Sequence, residues 1–128
     1  MSRITLRIDL EGHGSVGPGK IRLLELVGER GSIQKAARAM GMSYARAWKL
    51  VQDASATFAA PLVDASAGGA KGGGTTLTAL GRRVVDLYRR AEQRAAKAAE
   101  PEVTYLKKIA RGQSALRRSI KPKSANAH

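Results

Sequence analysis

Cysteine is absent from the 128 residues, so no disulfide braces the fold and no thiolate can hold zinc or an iron–sulfur cluster. Aromatic residues make up only 4%, which leaves the interior to Leu, Val, Ile and Ala and favours helices. Histidine occurs twice, as His13 in a glycine-rich stretch and as His128. Neither has a second ligand or a nucleophile at useful spacing, so no metal site, no catalytic residue and no enzyme is expected. No run approaches the ~20 apolar residues of a membrane span, and MSRITLRIDLEGHG alternates where a signal peptide would be continuously apolar. The expectation is a soluble, cytoplasmic protein that needs no cofactor.

Negative charge is also scarce. Ten acidic residues face 23 lysines and arginines, for a formal net charge of +13, which points to a polyanionic partner. No acid lies between Glu29 and Asp53, a window holding Arg30, Lys35, Arg38, Arg46 and Lys49. None lies between Asp64 and Asp86, where Lys71, Arg82 and Arg83 stand.

What is present has helical rhythm with short β-prone pieces. Ile4, Leu6, Ile8 and Leu10 alternate, the period of a half-buried strand, and GHGSVGPG then breaks the chain. From Pro18 to Arg30 apolar residues recur at helical spacing, with Gly31 placed for a left-handed cap. Ser32 can cap a short helix to about Met40, and Ser43 can cap another in which Ala47, Trp48, Val51 and Ala54 share a side. That spacing puts Trp48 in the core. Two helices joined by so tight a glycine turn must cross on small residues, which Ala36, Ala37 and Ala47 supply, and this is the logic of a helix-turn-helix; a plain αα-hairpin remains open.

PLVDAS and TTLT are strand candidates flanking GGAKGGG. Glycines and a lysine could cradle a nucleotide phosphate, but Lys71 is followed by Gly72, a strand candidate follows the loop, and no acid stands nearby to hold magnesium. A hairpin wing is the better reading. Thr78 can cap a helix from Ala79 to Glu100, ended by Pro101. Its stripe of Leu80, Val84, Leu87, Ala91, Ala95 and Ala98 is longer than so small a domain can cover, which predicts a second copy against it. Residues 102–111 could form one more short helix, and the rest reads as a disordered basic tail.

The segments GSIQKAARAMGMSYARAWKLVQD and LVDASAGGAKGGGTTLTALGRRVVDLY resemble the N-terminal DNA-binding domain of the molybdate-responsive regulator family (ModE type), a LysR-like winged helix-turn-helix. The likeness covers roughly residues 18–95. It implies a mainly α fold with a small β component, a winged helix-turn-helix with a long C-terminal dimerisation helix. Residues 1–100 would form the DNA-binding domain, including that helix (79–100), and 101–128 a short helix and tail. It further implies a homodimeric transcriptional regulator on double-stranded DNA at an inverted-repeat operator. By the same resemblance Ser32 and Gln34 touch phosphate, Ser43, Tyr44, Arg46 and Lys49 face the groove, and Lys71, Thr75 and Arg82 belong to the wing and its exit. The dimer seam would use Val84, Leu87, Ala91, Ala95 and Ala98. Full-length members carry a C-terminal molybdate-binding module; no molybdate site is assignable in this chain. Ala65 stands where related proteins often place a basic residue. The competing reading is a nucleoid-like architectural protein that uses charge with little sequence preference, and a third is an adaptor acting through the C-terminal region.

Overall fold

In a computed structural model the described residues are 3–65 and 74–119, the side chains of 111–119 excepted. Two compact units emerge, one spanning Thr5–Glu92 and the other taking in Gln93 onward together with Arg3 and Ile4. The elements are β1 (Ile8–Leu10), β2 (Gly14–Val16), α1 (Pro18–Arg30), α2 (Ile33–Ala39), α3 (Tyr44–Thr57), β3 (Val63–Asp64), β4 (Thr76–Leu77), α4 (Ala79–Ala98) and α5 (Glu100–Ser119).

Helix α1 organises the first unit because it is apolar on two sides. Pro18 starts it and Gly31, at φ 77°, ends it with its N–H donated to the Val27 carbonyl. Ile21 and Leu24 join Val16, Leu62, Leu77, Val84, Val85 and Tyr88 in one core cluster. Leu23, Leu26 and Val27 join Ile33, Ala36, Ala37, Ala47 and Val51 in another. Each fully buried Leu or Ile contributes about 2 kcal/mol, so α1 anchors both clusters at once.

The second cluster is the α2–α3 crossing. Gly41 turns the chain at φ 69°, a left-handed value that favours glycine. Ala36 and Ala47, each with no exposed surface, let the two helices approach. Trp48 does not share that interior. It is 48% exposed, against the expectation, because a seam lined by alanines has no room for an indole at its edge.

Strands β3 and β4 pair antiparallel, Val63 opposite Leu77 and Asp64 opposite Thr76. Two residues per strand cannot hold a hairpin alone, and the root is fastened from below. The Thr78 hydroxyl donates to the Pro61 carbonyl at 2.8 Å and accepts the Gly81 N–H at 3.0 Å, while the Thr78 N–H donates to the Leu62 carbonyl at 3.0 Å. A Cβ at position 81 would lie 2.1 Å from the Leu62 oxygen, so α4 reaches this root only through glycine. Helix-turn-helix, wing and following helix form a winged helix-turn-helix, with five helices and two small antiparallel sheets among the described residues.

Three expectations need correction. The glycine-rich run after Leu10 does not merely break the chain: Gly14–Val16 turns back as β2, pairing Ile8 with Val16 and Leu10 with Gly14, and only Ile8–Leu10 of the alternating segment is strand. Pro101 does not end the helical path. Helix α4 stops at Ala98 and α5 begins at Glu100, because the proline forfeits only its own N–H bond: Ala99 donates to Ala95 and Val103 to Ala99 on either side, both at 3.0 Å. Finally, α5 continues to Ser119, well past the short helix expected, and residues 120–128 of the expected disordered tail lie outside the described residues. No described helix is long and apolar enough to cross a membrane.

Candidate nucleic-acid interface

The local sequence sets both helix starts. Ser32 accepts the Lys35 N–H at 2.9 Å and Ser43 accepts the Arg46 N–H at 3.1 Å, so each hydroxyl oxygen caps a helix. Gln34, Lys35 and Arg38 stand exposed on α2. On α3 the exposed side chains include Tyr44 at 53%, Arg46, Trp48 at 48% and Lys49, with Asp53 beyond them. Lys49 reaches Asp53 at 3.7 Å on the solvent side, a contact that water largely screens. No ion pair holds Lys35, Arg38 or Arg46 among the described residues.

Between α2, the start of α3 and the wing lies an open cleft of about 1030 Å³. Lys35, Arg38, Tyr44, Ala65 and Gly74 are among its walls, and none of the described lining residues is acidic. Such a cleft suits a phosphate backbone running along it.

The expected site residues therefore divide. Ser32, Gln34, Ser43, Tyr44, Arg46 and Lys49 come together on the α2–α3 face. Arg46 stands apart within it: at about 100° per residue it sits about 160° round α3 from Trp48, on the far edge of the exposed arc. Thr75 is 8% exposed and donates its N–H to the Gly31 carbonyl at 2.8 Å, so it ties the wing to the α1–α2 turn and offers little side-chain surface to a phosphate. Arg82 is exposed, and its Nη1 donates to the Leu77 carbonyl at 3.0 Å; it braces β4 while reaching solvent. Lys71 lies outside the described residues.

The dimer-seam set divides as well. Val84, 7% exposed, is packed with Val85 and Tyr88 in the domain's own core, which corrects its place in a seam. Leu87 is 49% exposed, Ala91 and Ala95 are half-buried and Ala98 is exposed.

Lys35, Arg38 and Trp48 were not singled out as site residues by the sequence. The acid-free window was the available signal for the two cations; for Trp48 helical periodicity pointed the wrong way. A further group escaped notice altogether. Arg89 of α4 clamps Glu25 of α1 with two bonds of 2.9 Å and Glu92 with one of 2.7 Å. The Arg89 hydrogen bonds hold the Glu25 carboxyl below its ordinary value although burial pushes the other way, and the same partners raise Arg89. The guanidinium also lies 5.7 Å from the Tyr88 ring centre.

Residues 19–82 match the family described as bacterial regulatory helix-turn-helix protein, lysR family. The chain is similar to the molybdenum transport protein ModE of Azotobacter vinelandii, 39% identical over 87 residues that cover 68% of this chain and 32% of that protein. It is 42% identical over 89 residues to the molybdenum-pterin-binding protein MopB of Rhodobacter capsulatus, covering 69% and 33%. It is 33% identical over 87 residues to the DNA-binding transcriptional dual regulator ModE of Escherichia coli K12, covering 68% and 33%. The chain thus spans about a third of the length of the curated relatives it matches. With the matched segment running from α1 through the wing to the first turn of α4, the chain belongs to the lysR family of bacterial regulatory helix-turn-helix proteins, DNA-binding regulators of transcription.

Proposed function

We propose that this chain binds double-stranded DNA in a sequence-specific way, as a homodimer on an inverted repeat, and regulates transcription in the cytoplasm. The observation that carries the reading is the α2–α3 face. Among the described residues its Lys35, Arg38 and Arg46 have no ion pair, and Lys49 has only the exposed contact with Asp53, while polar and aromatic side chains project from the same helix, and α3 has the shape that fits a major groove. Lys35, Arg38, Gln34 and the capping serines hold phosphate; Tyr44 and Lys49 reach base edges, with Arg46 at the rim; Lys71 and Arg82 add charge at the wing.

The homodimer is supported by apolar surface left over. Leu87, Ala91, Ala95 and Ala98 recur at spacings of four, four and three along one stripe of α4. Helix α5 adds exposed Tyr105, Leu106 and Ile109.

Selection of bound duplexes from a random pool tests the first part: an enriched inverted repeat is expected, and a pool that stays unenriched means charge alone binds DNA. Sedimentation tests the second. The wild type should sediment as a dimer and Leu87→Arg as a monomer with much weaker operator binding, since a charge in an apolar seam is left without a partner. A Leu87→Arg protein that stays dimeric removes α4 as the interface.

A further inference from the structure

The chain has five aromatic residues, and two of them, Tyr44 and Trp48, are spent on the open side of α3. At a spacing of four they stand one above the other on a helix surface. Both are about half exposed, and the core behind them is already filled by Ala47, Val51 and Ala54, none more than 1% exposed. The half of each ring that stays exposed adds nothing to that core. Going round the helix from Trp48 at about 100° per residue, the two rings form one edge of the exposed arc, next to the buried side. The Gln52 amide, the methyls of Ala45 and Ala56, and then Lys49, Asp53 and Arg46 follow round it.

The surroundings say what covers this apolar surface. Lys35 and Arg38 line one cleft with Tyr44 and have no ion pair among the described residues, a positive charge that repels a second copy of the same basic face and attracts a polyanion. A duplex offers its major groove to such a helix, and the apolar group that base edges present there is the C5-methyl of thymine.

We propose that Tyr44 and Trp48 form a reading surface for thymine methyl groups, so that the preferred sites carry thymine where the two rings reach. This rests on the duplex-binding reading above and adds the base it selects and the side chains that select it. The rings discriminate by shape and desolvation: a methyl fills the space against them, and cytosine, which lacks it and carries an amino group beside that position, leaves a gap and a stranded donor.

The test replaces thymine by uracil, one position at a time, in a duplex recovered from the random pool; only the methyl is lost. Binding of the full chain should weaken about fourfold at one or two positions per half-site, the worth of one buried methyl. In Trp48→Ala and in Tyr44→Ala the thymine-to-uracil ratio should fall to about one at the position each ring covers, while the melting temperature stays at the wild-type value. Because Trp48 is the chain's one tryptophan, its fluorescence emission should shift on titration with that duplex. Uracil that is neutral at every position of a site still bound selectively overturns the methyl reading and leaves the regulator reading standing. A Trp48→Ala protein that keeps the full ratio, or emission unmoved by saturating duplex, removes Trp48 from the surface. A pool that enriches no duplex, or tighter binding to single strands on which the rings could stack, overturns both readings together.

Discussion

Where α4 lies beside α1, arginine is held by acid: Arg89 by Glu25 and Glu92, and Arg22 by Glu25 and Glu29 at 3.3 and 3.6 Å. Across the α2–α3 face of the same unit, Lys35, Arg38 and Arg46 carry the same charge with no ion pair among the described residues. The acids are as uneven along the sequence as in space, and their placement separates cations that fasten the fold from cations left for a ligand. Mutations on the first surface should therefore be read in stability, and those on the second in DNA binding.

The largest effect expected on the fastened side is at Gly81. A Cβ there meets the Leu62 carbonyl, which is backbone and cannot swing aside, so Gly81→Ala should cost about 2 to 3 kcal/mol and lower the melting temperature by roughly 10 to 20 °C. An unchanged melt would mean that α4 is not seated on the wing root. Arg89→Ala comes next, at about 1 to 2 kcal/mol, discounted because both partners keep some solvent contact. It carries a pH signature. The folded-state pKa of Glu25 is depressed, so the clamp's contribution is complete above the ordinary carboxyl value of 4.5 and is lost as pH falls through the folded value. The stability difference between wild type and Arg89→Ala should shrink below about pH 4.5. A constant difference down to pH 3 would assign it to packing over Tyr88.

Smaller still is Ser43→Ala, about 1 kcal/mol for a lost cap, with some loss of DNA affinity as the first turn of α3 frays. Arg38→Ala should change stability least, within about 0.5 kcal/mol. Yet the logarithmic salt dependence of DNA binding should drop by about one unit for the phosphate no longer neutralised. Should Arg38→Ala unfold the protein more readily than Arg89→Ala, the division between the two surfaces collapses.

Much of the architecture was legible because local rules and global fold agree. Gly31, Ser32, Ser43 and Thr78 mark helix boundaries through their own backbone or hydroxyl chemistry, and each sits where that chemistry predicts. Periodicity locates an apolar arc but not its width, and the buried arc of α3, made of Ala54, Ala47 and Val51, closes before it reaches the Trp48 indole. Strand β2 was hidden by glycines, whose usual meaning is a turn; here Gly14 at φ 118° packs against Thr57 and still pairs with Leu10. The Glu25–Arg89 clamp joins residues 64 apart, and no local pattern announces a partner at that distance. Thr75 shows the remaining gap: the resemblance implies a phosphate contact there, while the residue is 8% exposed and its N–H is bound to the Gly31 carbonyl.

Tyr88 donates its hydroxyl to the Leu6 carbonyl across 82 residues, and its ring sits in the same core cluster as Val16. During synthesis the segment carrying β1 leaves the ribosome long before the helix that fastens it. The α1–α3 body and the strand β2 beside Thr57 can close on near neighbours, while the Leu6 carbonyl gains its hydroxyl partner only once α4 has been made.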